Sequence, residues 1–129
     1  MPLSRIAQEF ADEIRNHNWS DSPWRLDRAG HDPAQDRGTL PRAPLSSEEA
    51  DNVKTNVMWV TAQVLFFQDP NFSVNEFAVA CGVPRRVTHR SDGNFSGGLS
   101  SGLRVQDGVV ARPGTWDFGD PASSARESE

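Results

Sequence analysis

The chain has one cysteine, one lysine and no tyrosine among its 129 residues. Because Cys81 is alone, an internal disulfide is excluded, which argues against a small secreted scaffold and favours a cytoplasmic protein. No apolar run approaches the roughly 20 residues that a membrane-spanning helix needs. The amino-terminal segment contains acidic residues and lacks a continuous apolar core, so neither a signal peptide nor a membrane anchor is expected.

The sequence patterns of a metal site and a phosphate-binding loop are also missing. Zinc sites use closely spaced ligand pairs such as C-x2-C or H-x3-H, and Cys81 with His17, His31 and His89 offers neither spacing. The glycine-rich stretch SGGLSSG lacks the Gly-Lys-Ser/Thr ending that gives a phosphate loop its cation and its metal ligand. We therefore expect neither a metal nor another cofactor.

Charge is distributed unevenly along the chain. Its formal net charge is −5. Between Val83 and Arg112, five arginines and two aspartates give a local charge of +3, which leaves −8 for the remainder. A polar molecule with one basic region binds phosphate there, while its acidic remainder suppresses non-specific association. The acidic composition is thus compatible with a nucleic-acid partner.

Hydrophobic spacing and composition divide the chain into an amphipathic helix at residues 1–18, an irregular arm at 19–44, a core at 45–116 and a disordered tail at 117–129. In the first segment, apolar residues from Leu3 to Ile14 recur at helical spacing, which predicts a helix over Pro2–Asn16. The arm has no periodicity and is rich in Pro, Asp, Gly and Arg. Within it, Trp19, Trp24 and Leu26 are candidates for pinning the chain to the core.

A long helix is predicted to begin at the capping box formed by Ser46 and Glu49. Apolar residues follow at alternating steps of three and four; this set, the valine seam, comprises Ala50, Val53, Val57, Val60, Val64 and Phe67. Further apolar residues make the second half of the helix apolar nearly all round, which is typical of a central helix. The helix is expected to end at Asp69, because proline at position 70 disfavours a helical conformation in the residue before it. The seam is predicted either to fill the core of one subunit or to be shared across a homodimer. The Leu3–Ile14 helix is a second candidate for the homodimer contact.

Two short helices are predicted next. Ser73 and Glu76 repeat the capping spacing, with Phe72 and Phe77 in the positions of a hydrophobic staple, so a helix is expected over 74–81. Gly82 is placed to end that helix in the left-handed conformation. Proline at position 84 suits the first position of a third helix, which continues through RRVTHR to the SDGN turn.

A hairpin is predicted after the third helix. Phe95, Leu99 and Leu103 are spaced four apart and are candidates for prolonging or restarting that helix, although three nearby glycines oppose it. The pair at residues 107–108, Asp-Gly, is favoured at tight hairpin turns because both positions tolerate positive φ. Strands are therefore expected over Leu103–Gln106 and Val109–Arg112.

This order of elements resembles a winged helix-turn-helix domain, over residues 46–112. The stretch FAVACGV looks like the helix-turn corner, and LRVQDGVVARPG looks like the wing. Val87 fits the buried aliphatic position of a recognition helix, whereas the polar Ser91 and the glycine-rich SDGNFSGG depart from the family pattern. The resemblance implies a mainly α fold with a small β-hairpin wing, in which the basic third helix enters the major groove of double-stranded DNA.

The DNA-binding residues that the resemblance implies are Arg85, Arg86, Thr88, His89 and Arg90 at the third helix, with Arg104 and Arg112 on the hairpin. Arginine suits these positions because its planar fork bonds guanine or clamps a phosphate. The hairpin arginines would reach the flanking phosphate backbone. The alternative interpretation of the arginines on the third helix is that they only make a solvent-exposed surface soluble.

The sequence thus favours a non-enzymatic DNA-binding protein, either a sequence-specific transcriptional regulator or an architectural factor. A non-catalytic protein-interaction module on the same fold is the alternative, with the acidic face and the Leu3–Ile14 helix as its contact surface. A small hydrolase using the arm's histidine and aspartates is a third class. The residues are Asp27, His31, Asp32 and Asp36, and a solvated, mixed-charge loop explains them more simply. A Cys81 nucleophile conflicts with the predicted burial of that side chain.

Overall fold

The computed structural model describes residues 3–20, 29 and 45–118. Its elements in chain order are α1 (Arg5–Asn16), α2 (Ser47–Gln68), α3 (Val74–Ala80), α4 (Arg85–Thr88), α5 (Gly98–Ser101), β1 (Val105–Gln106) and β2 (Val109–Val110). The fold is mainly helical, with one two-stranded antiparallel sheet, as predicted at the level of fold class. Among the described helices, none combines the length and apolar character needed to cross a bilayer. Nearly all of the predicted arm and most of the predicted tail lie outside the described residues.

Helix α1 covers one side of the core and begins later than predicted. It starts at Arg5 because the Ser4 side chain caps it, accepting a hydrogen bond of 3.2 Å from the backbone N–H of Ala7. The buried face consists of small and aliphatic residues that pack against α2 and α3. Just beyond the helix, the indole of Trp19 donates to the carbonyl of Ile14 at 3.0 Å, so this predicted anchor does contact α1.

Helix α2 runs through the middle of the fold, from the predicted capping box to the predicted end at Asp69. Both hydrogen bonds of the capping box are present, and Asp69 is the C-cap. Of the valine seam, which was predicted either to fill the core of one subunit or to be shared across a homodimer, Val57 packs against the core. The helix turns a different stripe inward. Its buried residues are Thr55, Met58, Ala62 and Gln63. Val60 and Val64 are instead 73% and 41% exposed.

The composition of α2 explains why the spacing of the seam left its direction open. Since its second half is apolar nearly all round, spacing alone does not decide which stripe turns inward. The inward stripe contains the small Ala62 and the slender Met58, both fully buried. Such side chains allow the neighbouring helices to approach closely, which the branched valines would not.

The corner after α3 has the predicted construction. The Ser73 hydroxyl accepts the N–H of the third residue of the helix at 3.2 Å, and the rings of Phe72 and Phe77 lie 5.4 Å apart. Gly82 has φ of +81°. Its N–H donates to the carbonyl of Val79 at 3.0 Å, and the N–H of Val83 donates to the carbonyl of Ala78 at 3.1 Å. This pair of bonds is the Schellman motif, which stops α3 and turns the chain sharply.

Helix α4 is shorter than predicted, a single turn. Pro84 is its N-cap and not its first residue, with ψ of 150°. At the other end His89 adopts an extended backbone and forms an antiparallel bridge with Phe95. The chain therefore reverses after residue 90 and does not continue the helix. The helix is not prolonged through Phe95, but a new helical turn, α5, restarts around Leu99, as the alternative prediction had it. Leu99 and Leu103 are both buried in the core.

The predicted hairpin is present with shorter strands. Val105 pairs with Val110 across the turn, in which Asp107 has φ of 51° and Gly108 has φ of 78°. A buried side chain of α2 holds its base: the amide oxygen of Gln63 accepts the N–H of Arg104 at 2.8 Å. The Gln63 amide nitrogen donates to the carbonyls of Arg104 and Ala111, each at 3.3 Å. The hairpin is thereby tied to the central helix.

Candidate nucleic-acid interface

Four of the predicted DNA-binding residues surround one open depression. They are Arg85, Arg86, His89 and Arg90, and we call them the basic cluster. Ser91 and a glycine complete the lining of this depression, whose volume is about 510 Å³. All three arginine side chains are exposed. The structure thus brings together, on one surface, cations that come from a helix and from the turn after it.

The backbone that carries the basic cluster is held on both sides. Before it, the Schellman turn sets the direction in which α4 leaves α3. After it, the backbone N–H of Ser96 donates to the carbonyl of Thr88 at 2.9 Å, and the backbone N–H of Arg90 donates to the carbonyl of Asn94 at 2.7 Å. The imidazole of His89 also packs on the ring of Phe95, with centroids 4.6 Å apart. The cluster therefore projects from a segment whose two ends are both hydrogen-bonded to the scaffold.

Thr88 lies beneath the basic cluster and not within it. Its side chain is only 1% exposed, so it has no surface with which to touch a duplex. Its hydroxyl lies 2.7 Å from Nδ1 of His89, and this hydrogen bond orients the imidazole. Thr88 is accordingly not exposed for the direct DNA contact that was predicted, and its hydroxyl orients His89 instead.

The arginines of the basic cluster differ in their charge partners. In the part of the chain that the structure describes, neither Arg85 nor Arg86 forms an ion pair. Arg90 lies 3.3 Å from a carboxylate oxygen of Asp92, with both side chains exposed. Exposed ion pairs contribute only about 0–1 kcal/mol, so a phosphate competes readily for this guanidinium.

The two hairpin arginines lie elsewhere and do not join the basic cluster. The Nε of Arg104 donates to the carbonyl of Thr115 at 2.9 Å, and its guanidinium lies 5.4 Å from the ring centre of Trp116. Arg112 lies 4.0 Å from the carboxylate of Asp117. Both side chains thus hold the segment after β2, a loop that the sequence pattern did not predict.

Cys81 does not offer a catalytic group. It is fully buried at the end of α3, and burial raises the pKa of its thiol to about 12, although the nearby Lys54 ammonium opposes the shift. Because the thiolate is the nucleophilic form, such a cysteine is unreactive near neutral pH. Within residues 3–20, 29 and 45–118, no three His, Cys, Asp or Glu side chains come close enough to share a metal ion.

A second depression, of about 420 Å³, lies between α2 and the segment after β2, and the sequence pattern did not predict it. Val60 and Val64 form one wall, and Pro113 and Trp116 form the other. Trp116 is 77% exposed. The available signal was the valine seam itself, which is predicted to face either the core or a second copy of the chain.

The predicted site residues therefore fall into two groups. Arg85, Arg86, His89 and Arg90 share one surface, whereas the two hairpin arginines stabilise a loop. Comparison of the chain with protein-family models, with curated proteins and with solved structures finds no match.

Proposed function

We propose that the protein binds double-stranded DNA through the basic cluster, without catalysis. The observation that carries this proposal is the convergence of three exposed arginines and one histidine on a single open depression. Two of those arginines have no carboxylate partner among the described residues. Unpaired guanidinium groups on a firmly held segment are suited to phosphate, because their planar forks make two parallel hydrogen bonds to it.

The phosphate backbone is the main target in this proposal, and base edges are secondary. With four residues, α4 is about 6 Å long. The major groove is about 8.5 Å deep, and recognition helices reach its base edges over several turns. Here the chain turns back at His89 before a second turn forms. We therefore expect binding that depends strongly on salt and weakly on sequence, which favours an architectural factor over a sequence-specific regulator.

The test is the affinity for a fluorescein-labelled duplex of about 20 base pairs, measured by anisotropy at low salt. Each of Arg85→Ala and Arg86→Ala is expected to weaken binding several-fold, and the double variant by roughly 10- to 100-fold, as charge-assisted contacts are lost. Arg5→Ala is the matched control, because Arg5 is also an exposed arginine but lies on α1, where it pairs with Glu9. Circular dichroism checks that each variant is folded.

Two outcomes of this titration would overturn the proposal. One is a wild-type protein that leaves the duplex unbound even at low salt. The other is an Arg5→Ala variant that loses as much affinity as Arg85→Ala, because the attraction would then reflect total charge and not the basic cluster.

A protein-interaction module is the second candidate, and one surface of α1 favours it. Ile6 and Phe10 are exposed there, one helical turn apart, and with Glu9 and Glu13 they line a depression of about 290 Å³. An exposed apolar patch with a polar rim is typical of a contact surface. In this case alanine at positions 85 and 86 would leave partner binding intact, whereas Phe10→Ser would abolish it.

A further inference from the structure

The outward face of α2 is unusually apolar for a helix exposed to solvent. Val60 and Val64 are exposed there, whereas Ala50, Val53 and Phe67 are half-buried and Val57 packs against the core. Residues 55–68 include no Asp, Glu, Lys or Arg. The solvent face of a helix normally carries charged and polar residues, and a continuous exposed apolar strip commonly marks an interface.

The spacing of the valine seam is that of a helix–helix interface. Its six residues follow one another in steps of three, four, three, four and three. These are the a and d positions of a heptad repeat, with Ala50, Val57 and Val64 at a, and Val53, Val60 and Phe67 at d. At 1.5 Å per residue the seam is about 27 Å long. Two such seams interlock when two helices pack at a shallow crossing angle.

We propose that the valine seam binds the valine seam of a second copy of this chain, with the two α2 helices parallel about a twofold axis. A twofold interface requires a self-complementary surface. β-branched residues at the a positions favour a two-stranded parallel pair, and Val57 and Val64 meet this condition.

Charge complementarity beside the seam supports the parallel orientation. Glu49 occupies a g position and Lys54 the following e position, so in a parallel pair each Glu49 faces Lys54 of the second copy. The other flanking positions carry Asn, Thr and Gln, which are neutral. Within the described part of the chain Lys54 forms no ion pair. Its ammonium lies beside Gly82 and Cys81, so this flexible side chain would turn to meet Glu49 of the second copy. In an antiparallel pair, both Glu49 and Lys54 would face neutral side chains.

Trp116 extends the proposed interface beyond the helix. It stands opposite Val60 and Val64 across the second depression, so its ring borders the seam along the α2 surface. A pair of helices alone buries less than the roughly 1,200–2,000 Å² of a standard stable interface. Even with Trp116 added, the area suits a reversible dimer that assembles with increasing protein concentration.

Sedimentation velocity from 1 to 200 µM tests this proposal. The wild-type protein is expected to shift from monomer to dimer across this range. Val60→Glu is expected to raise the dissociation constant by at least about 100-fold, because the dimer would bury two unpaired carboxylates. Val79→Glu is the matched control, since Val79 is also an exposed valine, at 45%, but lies on α3. A wild-type chain that stays monomeric at 200 µM, or a Val60→Glu variant that dimerises normally, would overturn the proposal.

Disulfide trapping tests the orientation without adding a charge. In a parallel pair the exposed Val60 faces its own counterpart, so Val60→Cys alone should give a covalent dimer under mild oxidation. Cys81 is buried and does not interfere. In an antiparallel pair position 57 would face position 60, so a cross-link that needs Val57→Cys mixed with Val60→Cys would refute the parallel arrangement. Neither experiment involves DNA, so the outcome is independent of the proposed function.

Discussion

Replacing Gln63 by leucine tests how the hairpin is held to α2. The Gln63 side chain is buried and forms three hydrogen bonds, of which the shortest, at 2.8 Å, satisfies the N–H of Arg104. The two bonds from its amide nitrogen are longer, at 3.3 Å. Leucine has nearly the same volume, so the substitution removes the hydrogen bonds while filling the space.

The expected loss of stability follows from the groups left unpaired. A buried donor or acceptor without a partner costs about 1–3 kcal/mol, and the short bond to Arg104 accounts for most of that cost here. Leucine recovers part of it through its apolar surface. We therefore expect the free energy of unfolding to fall by about 2–3 kcal/mol, which lowers the urea midpoint by about 1–2 M for a domain of this size.

Urea titration followed by tryptophan fluorescence measures this change, and hydrogen exchange gives a local readout. The Arg104 amide should lose its protection in Gln63→Leu. Gln68→Leu is the matched control, because it makes the same chemical change at an exposed position on the same helix. If the two variants unfold within about 0.5 kcal/mol of each other, the reasoning about buried hydrogen bonds is refuted.

Two further predictions concern residues of the core. Cys81 should resist thiol reagents until the protein unfolds, because its thiol is buried; rapid labelling of the native protein would contradict this. Folding raises the pKa of this thiol from 9.0 to about 12, so as pH rises the unfolded chain loses the proton first. The free energy of unfolding should therefore fall above pH 9, and Cys81→Ala should weaken this pH dependence. Gly102→Ala should cost about 1–3 kcal/mol in thermal or urea unfolding, because a methyl group there would collide with the indole of Trp59. The same change at Gly97, where the space is open, should cost far less, and equal costs would rule out the collision.

Signals that depend on neighbouring residues were readable from the sequence. The capping box at Ser46, the left-handed turn at Gly82 and the hairpin turn at 107–108 were all predicted correctly, because each follows from the conformations that a few adjacent residues allow. The gathering of cations around α4 followed from their proximity along the chain. These local rules place most of the basic cluster.

Features that depend on distant residues were not readable. The orientation of α2 is decided by what packs on it, since both of its faces are apolar. The length of α4 is limited by the bridge between His89 and Phe95, a pairing that the periodicity of the chain does not signal. The roles of Arg104 and Gln63 arise from contacts with segments 11 to 48 residues away.

The salt dependence of duplex affinity is the most direct test of the central claim that the basic cluster binds phosphate. The slope of log K against log salt is about −0.9 for each phosphate neutralised, so the three arginines of the basic cluster predict a wild-type slope of roughly −3. The Arg85→Ala/Arg86→Ala double variant should flatten that slope by about 2, to a similar extent on duplexes of unrelated sequence. A slope that the double variant leaves unchanged would contradict the account.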